Sequence, residues 1–103
     1  MKKATSIKTA IHLEQVPNIG PRIASDLRLL GIKEPADLKT QDPYKLYVQL
    51  CEKTKTYKDP CVLDVFMSAV YFAEGKKAKP WWDFTEERKK NFHKVDNQTS
   101  KWR

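Results

Sequence analysis

The chain has 103 residues, which is enough for one domain around a modest core. Its residues are 40% hydrophobic and 32% charged, a composition typical of a globular protein and not of a disordered chain. Its formal net charge of +7 favours polyanions, of which nucleic acid is the commonest inside cells. No apolar run approaches the roughly 20 residues of a membrane span. The N-terminus has no signal-peptide pattern, and two cysteines are too few for a disulfide scaffold, so we expect a cytoplasmic protein.

Positive charge is concentrated at the two ends of the chain. Residues 1–33 contain six basic and two acidic residues and carry +4, and residues 76–103 contain nine and four and carry +5. Residues 34–75 carry −2, from five basic and seven acidic residues. Charge alone leaves two interpretations open: a nucleic-acid-binding protein, or a protein that is basic without binding nucleic acid.

The first predicted elements are two short helices joined by a tight turn. Apolar residues recur at spacings of three and four and alternating runs are absent, which is typical of an all-helical chain. A short helix is predicted over residues 9–15, and the turn at residues 16–20 ends it. Pro21 suits the first position of a second helix, and Gly31 suits the left-handed residue at its end.

Prolines preceded by acidic residues predict the next helices, because the carboxylate caps the helix and the proline suits its first position. The three pairs are Asp42-Pro43, Asp59-Pro60 and, more weakly, Glu34-Pro35. The helix after Asp42 is predicted to run to about residue 54, and that after Asp59 to residue 74, where Gly75 ends it. The second of these is apolar around nearly its whole circumference, which predicts a central buried helix.

The C-terminal part is predicted to hold one more helix and a tail. Thr85 is predicted to cap a short basic helix over residues 86–92, with its acidic residues in the first turn, as the helix dipole favours. Residues 93–103 are polar and unpatterned and predict a frayed tail. The sequence thus predicts an all-α fold: a single small domain of five or six helices over residues 5–92, built on a helix-hairpin-helix.

The turn between the first two helices carries the candidate functional site. Ile19 is expected to plug between the helices, so that backbone N–H groups at the start of the second helix point outward. Free N–H groups and the positive end of a helix bind phosphate oxygens, and Gly20 keeps side chains away from them. The predicted DNA phosphate-binding residues are Asn18, Gly20, Arg22, Ile23, Lys8, Arg28 and Lys33, with Lys2 and Lys3 adding nearby charge.

This pattern resembles the helix-hairpin-helix motif of DNA repair and recombination proteins, which binds the duplex backbone without reading its sequence. That motif usually has glycine where Asn18 stands; asparagine tolerates the left-handed backbone, but its side chain reduces the room for a phosphate. The alternative is a hairpin that only packs helices or contacts another protein. The helices after Asp42 and Asp59 form either a degenerate second hairpin or a helical pair that covers the first.

A narrower resemblance extends over roughly residues 9–91. The stretches VPNIGPRIASDLRLLGI, DPCVLDVFMSAVYF and KPWWDFTEERK are similar to the bacterial pathogenicity-locus family of small helix-hairpin-helix proteins, often labelled mitomycin resistance proteins. The resemblance implies an all-helical fold related to the C-terminal domains of competence regulators. It implies neither an enzyme activity nor an established ligand.

Three other groups of residues have competing interpretations. Cys51 and Cys61 lack the spacing of a zinc site, so we expect core packing, although the helix dipole is expected to lower the thiol pKa of Cys61. Asp64 is expected to meet a basic side chain or a helix start rather than to form a catalytic pair with Asp59. Trp81-Trp82, which follow the lysines of residues 76–79, are expected to latch the C-terminal segment over the core; the alternative is base stacking in single strands.

The sequence is therefore interpreted as a non-enzymatic bacterial protein that binds the backbone of double-stranded DNA without sequence specificity. No metal or other cofactor is expected, and no membrane contact. We expect a monomer or weak homodimer that could also bind a protein partner. The alternative function is a protein–protein adaptor with a structural hairpin, and a more distant one is drug sequestration, which needs an apolar pocket.

Overall fold

The computed structural model describes residues 2–91, which are all-helical and contain no β-strand. The predicted tail at residues 93–103 lies outside the described residues. The α-helices are α1 (Pro21–Leu29), α2 (Pro43–Thr54), α3 (Pro60–Ala73) and α4 (Thr85–Asn91). Four 3₁₀-helices lie between or before them: Ile7–Thr9, Leu13–Gln15, Pro35–Leu38 and Trp81–Phe84.

The starts of α1, α2 and α3 follow the predicted pattern, because each helix has proline at its first position. The Asp42 carboxylate accepts hydrogen bonds from the N–H groups of Tyr44 (2.9 Å) and Lys45 (3.4 Å). The Asp59 carboxylate accepts one from the N–H of Cys61, at 2.9 Å. The predicted ends are also confirmed, since Gly31 and Gly75 follow α1 and α3 with φ of 90° and 92°.

The N-terminal segment departs from the prediction. The helix expected over residues 9–15 is replaced by the 3₁₀-helices Ile7–Thr9 and Leu13–Gln15, with extended backbone at His12 between them. The Gln15 side-chain oxygen accepts hydrogen bonds from the N–H groups of Ile11 and His12, both at 2.9 Å. These bonds take the place of helical ones, and so short a segment gains little from helix propagation. Together with the 3₁₀ geometry of Pro35–Leu38, this leaves four α-helices where five or six helices were expected.

The start of α4 also differs from the prediction. The 3₁₀-helix Trp81–Phe84 runs directly into α4, and Thr85 already has helical backbone angles of −61° and −42°. The Thr85 hydroxyl donates to the Asp64 carboxylate at 2.7 Å instead of capping its own helix. The prediction of Thr85 as an N-cap was therefore wrong, because the preceding 3₁₀ turn already supplies helical continuity.

Helix α3 is the central element, as its composition predicted. Every residue from 63 to 70 is buried, and α3 packs against α2 on one side and against Trp81–Phe84 and α4 on another. The start of the chain joins the same core through Leu13, Val16 and Ile19, none of which has exposed surface. The core therefore fixes the turn that precedes α1.

A buried ion pair joins α3 to α4. Asp64 has no exposed surface, and it accepts a hydrogen bond from Nε of Arg88 at 2.6 Å. The prediction that Asp64 meets a basic side chain is confirmed. Among residues 2–91, no helix has both the length and the apolar character of a membrane span.

Candidate functional site

The turn at residues 16–20 leads from the Leu13–Gln15 3₁₀-helix into α1. Asn18 has a φ of 74°, the left-handed conformation that asparagine tolerates. Ile19 is fully buried, as the sequence predicted, and its N–H donates to the carbonyl of Val16 at 3.1 Å. Gly20 then forms the N-cap of α1 with ordinary extended backbone. The turn is thus anchored by two buried apolar side chains, those of Val16 and Ile19.

The first turn of α1 has unused hydrogen-bond donors. Within residues 2–91, no protein acceptor receives the backbone N–H of Gly20, Arg22 or Ile23, and no side chain caps the helix. Helix α2 differs, because the Asp42 carboxylate takes up the equivalent N–H groups. The start of α1 therefore keeps the positive end of its dipole and free donors together.

Gly20 leaves these donors uncovered. A Cβ built at this position meets nothing within 4 Å, and the φ of −93° is accessible to any residue. Neither packing nor backbone conformation therefore requires glycine here. A side chain at residue 20 would project into open space beside the free N–H groups.

Lys3 stabilises the turn from the N-terminal side. Its ammonium donates to three backbone carbonyls, those of Glu14 (2.8 Å), Val16 (3.2 Å) and Ile19, and partial burial lowers the pKa of Lys3. The sequence suggested only a nearby charge at this position. A surface depression of about 300 Å³ is lined by Lys3, Glu14, Ile19, Gly20 and Pro21.

Arg28 lies in an ion pair rather than carrying an uncompensated charge. Its guanidinium forms a bidentate pair with the Glu14 carboxylate, at 2.8 and 3.0 Å. Hydrogen bonding from Arg28 lowers the pKa of Glu14 to about 2, so the pair stays charged at neutral pH. This contact ties α1 to the Leu13–Gln15 turn and leaves Arg28 less available to a phosphate.

The remaining predicted cations differ in their distance from Gly20. Arg22 is exposed in the first turn of α1 and Lys8 is exposed in the Ile7–Thr9 turn. Lys33 is exposed beyond the C-terminal end of α1, whose nine residues span about 13 Å. The structure therefore brings Gly20, Arg22, Ile23 and Lys3 together and places Lys33 at the opposite end of the helix.

The Asn18 side chain points into the protein. Its amide donates to the Ser68 hydroxyl at 3.2 Å and to the Lys79 carbonyl at 2.8 Å. Asn18 therefore shapes the turn, as predicted, and does not crowd the space outside it. Sequence reasoning missed both partners because they are 50 and 61 residues away, with no local pattern to reveal them.

The two neighbouring tryptophans have different environments. Trp81 packs against the core, and Phe84 is buried with its ring edge-on to Tyr71 at 5.4 Å. The predicted latch is therefore confirmed for Trp81 but was wrong for Trp82. Trp82 is 60% exposed. The ammonium groups of Lys76 and Lys79 each lie 4.9 Å from the centre of the Tyr71 ring.

The two cysteines differ in burial, because Cys51 is buried and Cys61 is half-buried. Among residues 2–91 no group of three or more His, Cys, Asp or Glu side chains is placed to hold a metal. Burial and the neighbouring Asp59 carboxylate raise the pKa of Cys61 to about 11. The expectation of a lowered thiol pKa was therefore wrong, because desolvation and the capping carboxylate outweigh the helix dipole.

Comparisons with known proteins agree with the narrower resemblance. The family model described as Pathogenicity locus (Cdd1) matches residues 6–90. Mitomycin resistance protein McrB of Streptomyces lavendulae is 42% identical over 78 residues, which cover 76% of this chain and 74% of that protein. No solved structure matches the chain significantly. The chain therefore belongs to the Cdd1 pathogenicity-locus family.

Proposed function

We propose that the protein binds the backbone of double-stranded DNA, without sequence specificity, through the turn at residues 16–20 and the start of α1. In this proposal the Leu13–Gln15 turn, the 16–20 turn and α1 form a helix-hairpin-helix whose first helix is shortened to a 3₁₀ turn. The N–H groups of Gly20, Arg22 and Ile23 donate to a phosphate oxygen. Arg22 supplies the mobile charge, and Lys3 lines the depression next to Gly20.

The uncompensated start of α1 carries this proposal. A helix N-terminus ordinarily has a capping side chain or an acidic residue, which α1 lacks, and a cation in the first turn opposes the helix dipole. At α1 the cap is Gly20, which has no side chain to accept a hydrogen bond, and the first turn contains the cation Arg22. Both residues therefore leave the start of the helix with a positive potential. An anion at this position satisfies the free donors and removes the electrostatic conflict.

The alternative is a protein–protein adaptor in which the turn is structural. The buried Ile19 and the three carbonyl contacts of Lys3 serve that role equally well. They do not account for the open N-terminus of α1 or for an exposed Arg22. We therefore place the adaptor second.

The name of the Streptomyces lavendulae relative raises drug sequestration as a third function. Sequestration needs an enclosed and largely apolar pocket. The depression next to Gly20 and another of about 480 Å³ beside Tyr71 are both open to solvent and bordered by charged side chains, Lys3 and Glu14 in the first and Lys76, Lys79 and Glu87 in the second. Neither depression is the enclosed apolar pocket that capture of a small molecule needs, so we place sequestration third.

Fluorescence anisotropy of a labelled blunt duplex, from low to physiological salt, tests the proposal. The wild-type protein is expected to bind with an affinity that falls linearly in log–log terms as salt rises. Arg22→Glu is expected to weaken binding at least tenfold while its helical circular dichroism is retained, since Arg22 is exposed.

Lys53→Glu is the matched control. It makes the same change in charge on an exposed residue that, with Leu30, lines a depression near the C-terminal end of α1. Equal weakening by both variants would point to diffuse attraction by a basic protein. Binding that neither variant changes, or that is absent at low salt, would favour the adaptor.

A further inference from the structure

Trp82 is a large aromatic side chain that the fold leaves in water. It is 60% exposed, although its neighbours Trp81 and Phe84 turn toward the core. Covering a side chain of this size is among the largest single gains that folding or binding offers. The exposed ring is therefore available to a partner.

The Trp82 ring is held in place rather than left on a mobile loop. It belongs to the 3₁₀-helix Trp81–Phe84, where the N–H of Asp83 donates to the carbonyl of Pro80 at 3.1 Å. The Trp81 ring lies edge-on to it, with centroids 5.6 Å apart and planes at 84°. A ring fixed in this way loses little conformational entropy when a flat partner stacks on it.

Asn18 joins this aromatic segment to the turn of the proposed phosphate site. Its amide donates to the carbonyl of Lys79 at 2.8 Å, and Lys79 precedes Trp82 by three residues, which span at most about 10 Å. Asn18 precedes Gly20 by two residues, which span at most about 7 Å. Asn18 thus connects the segment that carries Trp82 to the turn that precedes α1.

The segment before Trp82 is basic. Lys76, Lys77 and Lys79 are exposed. Lys76 and Lys79 line the depression beside Tyr71 together with three acidic residues, whereas Lys77 and Trp82 do not line it. A fixed aromatic ring beside exposed cations is the combination that binds single-stranded nucleic acid, because every base has a π-face and every nucleotide a phosphate.

We propose that Trp82 is a stacking platform for an unpaired base of a nucleic-acid strand whose duplex backbone lies on the turn at residues 16–20. The inference rests on the proposed function and narrows its ligand to DNA that has a single-stranded extension next to a duplex. Lys77 neutralises a phosphate of the extension, and the Trp82 ring stacks on the base.

The test compares two labelled duplexes that differ only in their overhang. One overhang carries thymine bases, and the other has the same number of abasic nucleotides, so that the phosphate charge is equal. The wild-type protein is expected to bind the thymine overhang about tenfold more tightly than the abasic one. Trp82→Leu is expected to abolish this preference, whereas Trp82→Phe, which keeps an aromatic face, retains most of it.

The outcomes distinguish failure of the stacking platform at Trp82 from failure of the phosphate site on the turn. The platform is overturned if the wild type binds the thymine and abasic overhangs with equal affinity, or if Trp82→Leu leaves the preference for thymine unchanged. Either result holds even if Arg22→Glu weakens blunt-duplex binding as expected. A thymine preference that depends on Trp82, with blunt-duplex binding that Arg22→Glu does not affect, supports the platform and overturns the phosphate site on the turn. Circular dichroism of each variant shows that the fold is retained.

Discussion

Gly20 is the residue at which the proposed function is tested most directly, because it occupies the N-cap position where the other two proline-initiated α-helices have aspartate. Asp42 and Asp59 accept hydrogen bonds from the first N–H groups of α2 and α3. Gly20 accepts none through a side chain, and space outside it is open. A capping carboxylate would fit here and would fill the proposed phosphate position itself.

Gly20→Asp is expected to stabilise the protein and to weaken its binding to duplex DNA. Aspartate is the better N-cap, so the free energy of unfolding should rise by a few tenths of a kcal/mol. The new carboxylate takes up the free N–H groups and repels phosphate, so duplex affinity should fall at least tenfold. Urea denaturation and anisotropy on the same samples measure both quantities.

Gln49→Glu is the control for the change in net charge, since Gln49 is exposed and, with Leu30, lines the depression near the other end of α1. It should leave duplex affinity within about twofold at low salt. A Gly20→Asp protein that is more stable yet binds as tightly as the Gln49→Glu protein contradicts a phosphate site at the start of α1.

At the scale of elements, the Glu14–Arg28 pair joins α1 to the segment before it and makes this junction sensitive to acid. The folded-state pKa of Glu14 is about 2, below its ordinary value of 4.5. The stabilisation from Glu14 is therefore complete above pH 4.5 and is lost as the pH falls toward 2. The urea midpoints of wild type and Glu14→Gln should differ at neutral pH and converge near pH 2. Arg28→Gln should remove the same pH-dependent component; a constant difference between wild type and Glu14→Gln would contradict the assignment.

The buried pair between α3 and α4 is expected to have a larger effect. Asp64 and Arg88 are both buried, so Asp64→Asn removes the carboxylate that accepts a hydrogen bond from Nε of Arg88 in the core. The free energy of unfolding should fall by about 3 kcal/mol, measured by urea denaturation. The double variant Asp64→Leu/Arg88→Met removes both charges and should recover a large part of that loss. A loss below about 1 kcal/mol in Asp64→Asn would mean that the pair contributes little.

The elements that the sequence predicted well are those with local signals. Proline, an acidic cap and a terminal glycine lie within a few residues of the helix ends that they define, so α2 and α3 were predicted almost to the residue. The segment before α1 was not, because a Gln15 side chain competes with the helical hydrogen bonds. For the candidate site, the sequence predicted the backbone turn but not the side-chain contacts. Asn18 and Lys3 contact residues that are distant in the sequence, and no local pattern reveals such contacts.

At the scale of the whole molecule, the net charge of +7 offers a second explanation for any DNA binding. The basic ends of the sequence do not form one uniform surface, because Arg28 and Arg88 are paired with Glu14 and Asp64. Lys3 is engaged with backbone carbonyls. The charges left near the turn are therefore few, and a localised site predicts a weak dependence on salt.

The slope of log affinity against log salt distinguishes a localised site from diffuse attraction. Each neutralised phosphate contributes about −0.9 for duplex DNA, while uncharged N–H donors contribute nothing. Arg22 and two of the exposed lysines predict a slope of about −3 for the wild type on a blunt duplex, and Arg22→Glu should reduce its magnitude by about one. A slope near −6, lowered equally by Arg22→Glu and Lys53→Glu, would mean that the whole basic surface binds and that the open start of α1 has no special part in it.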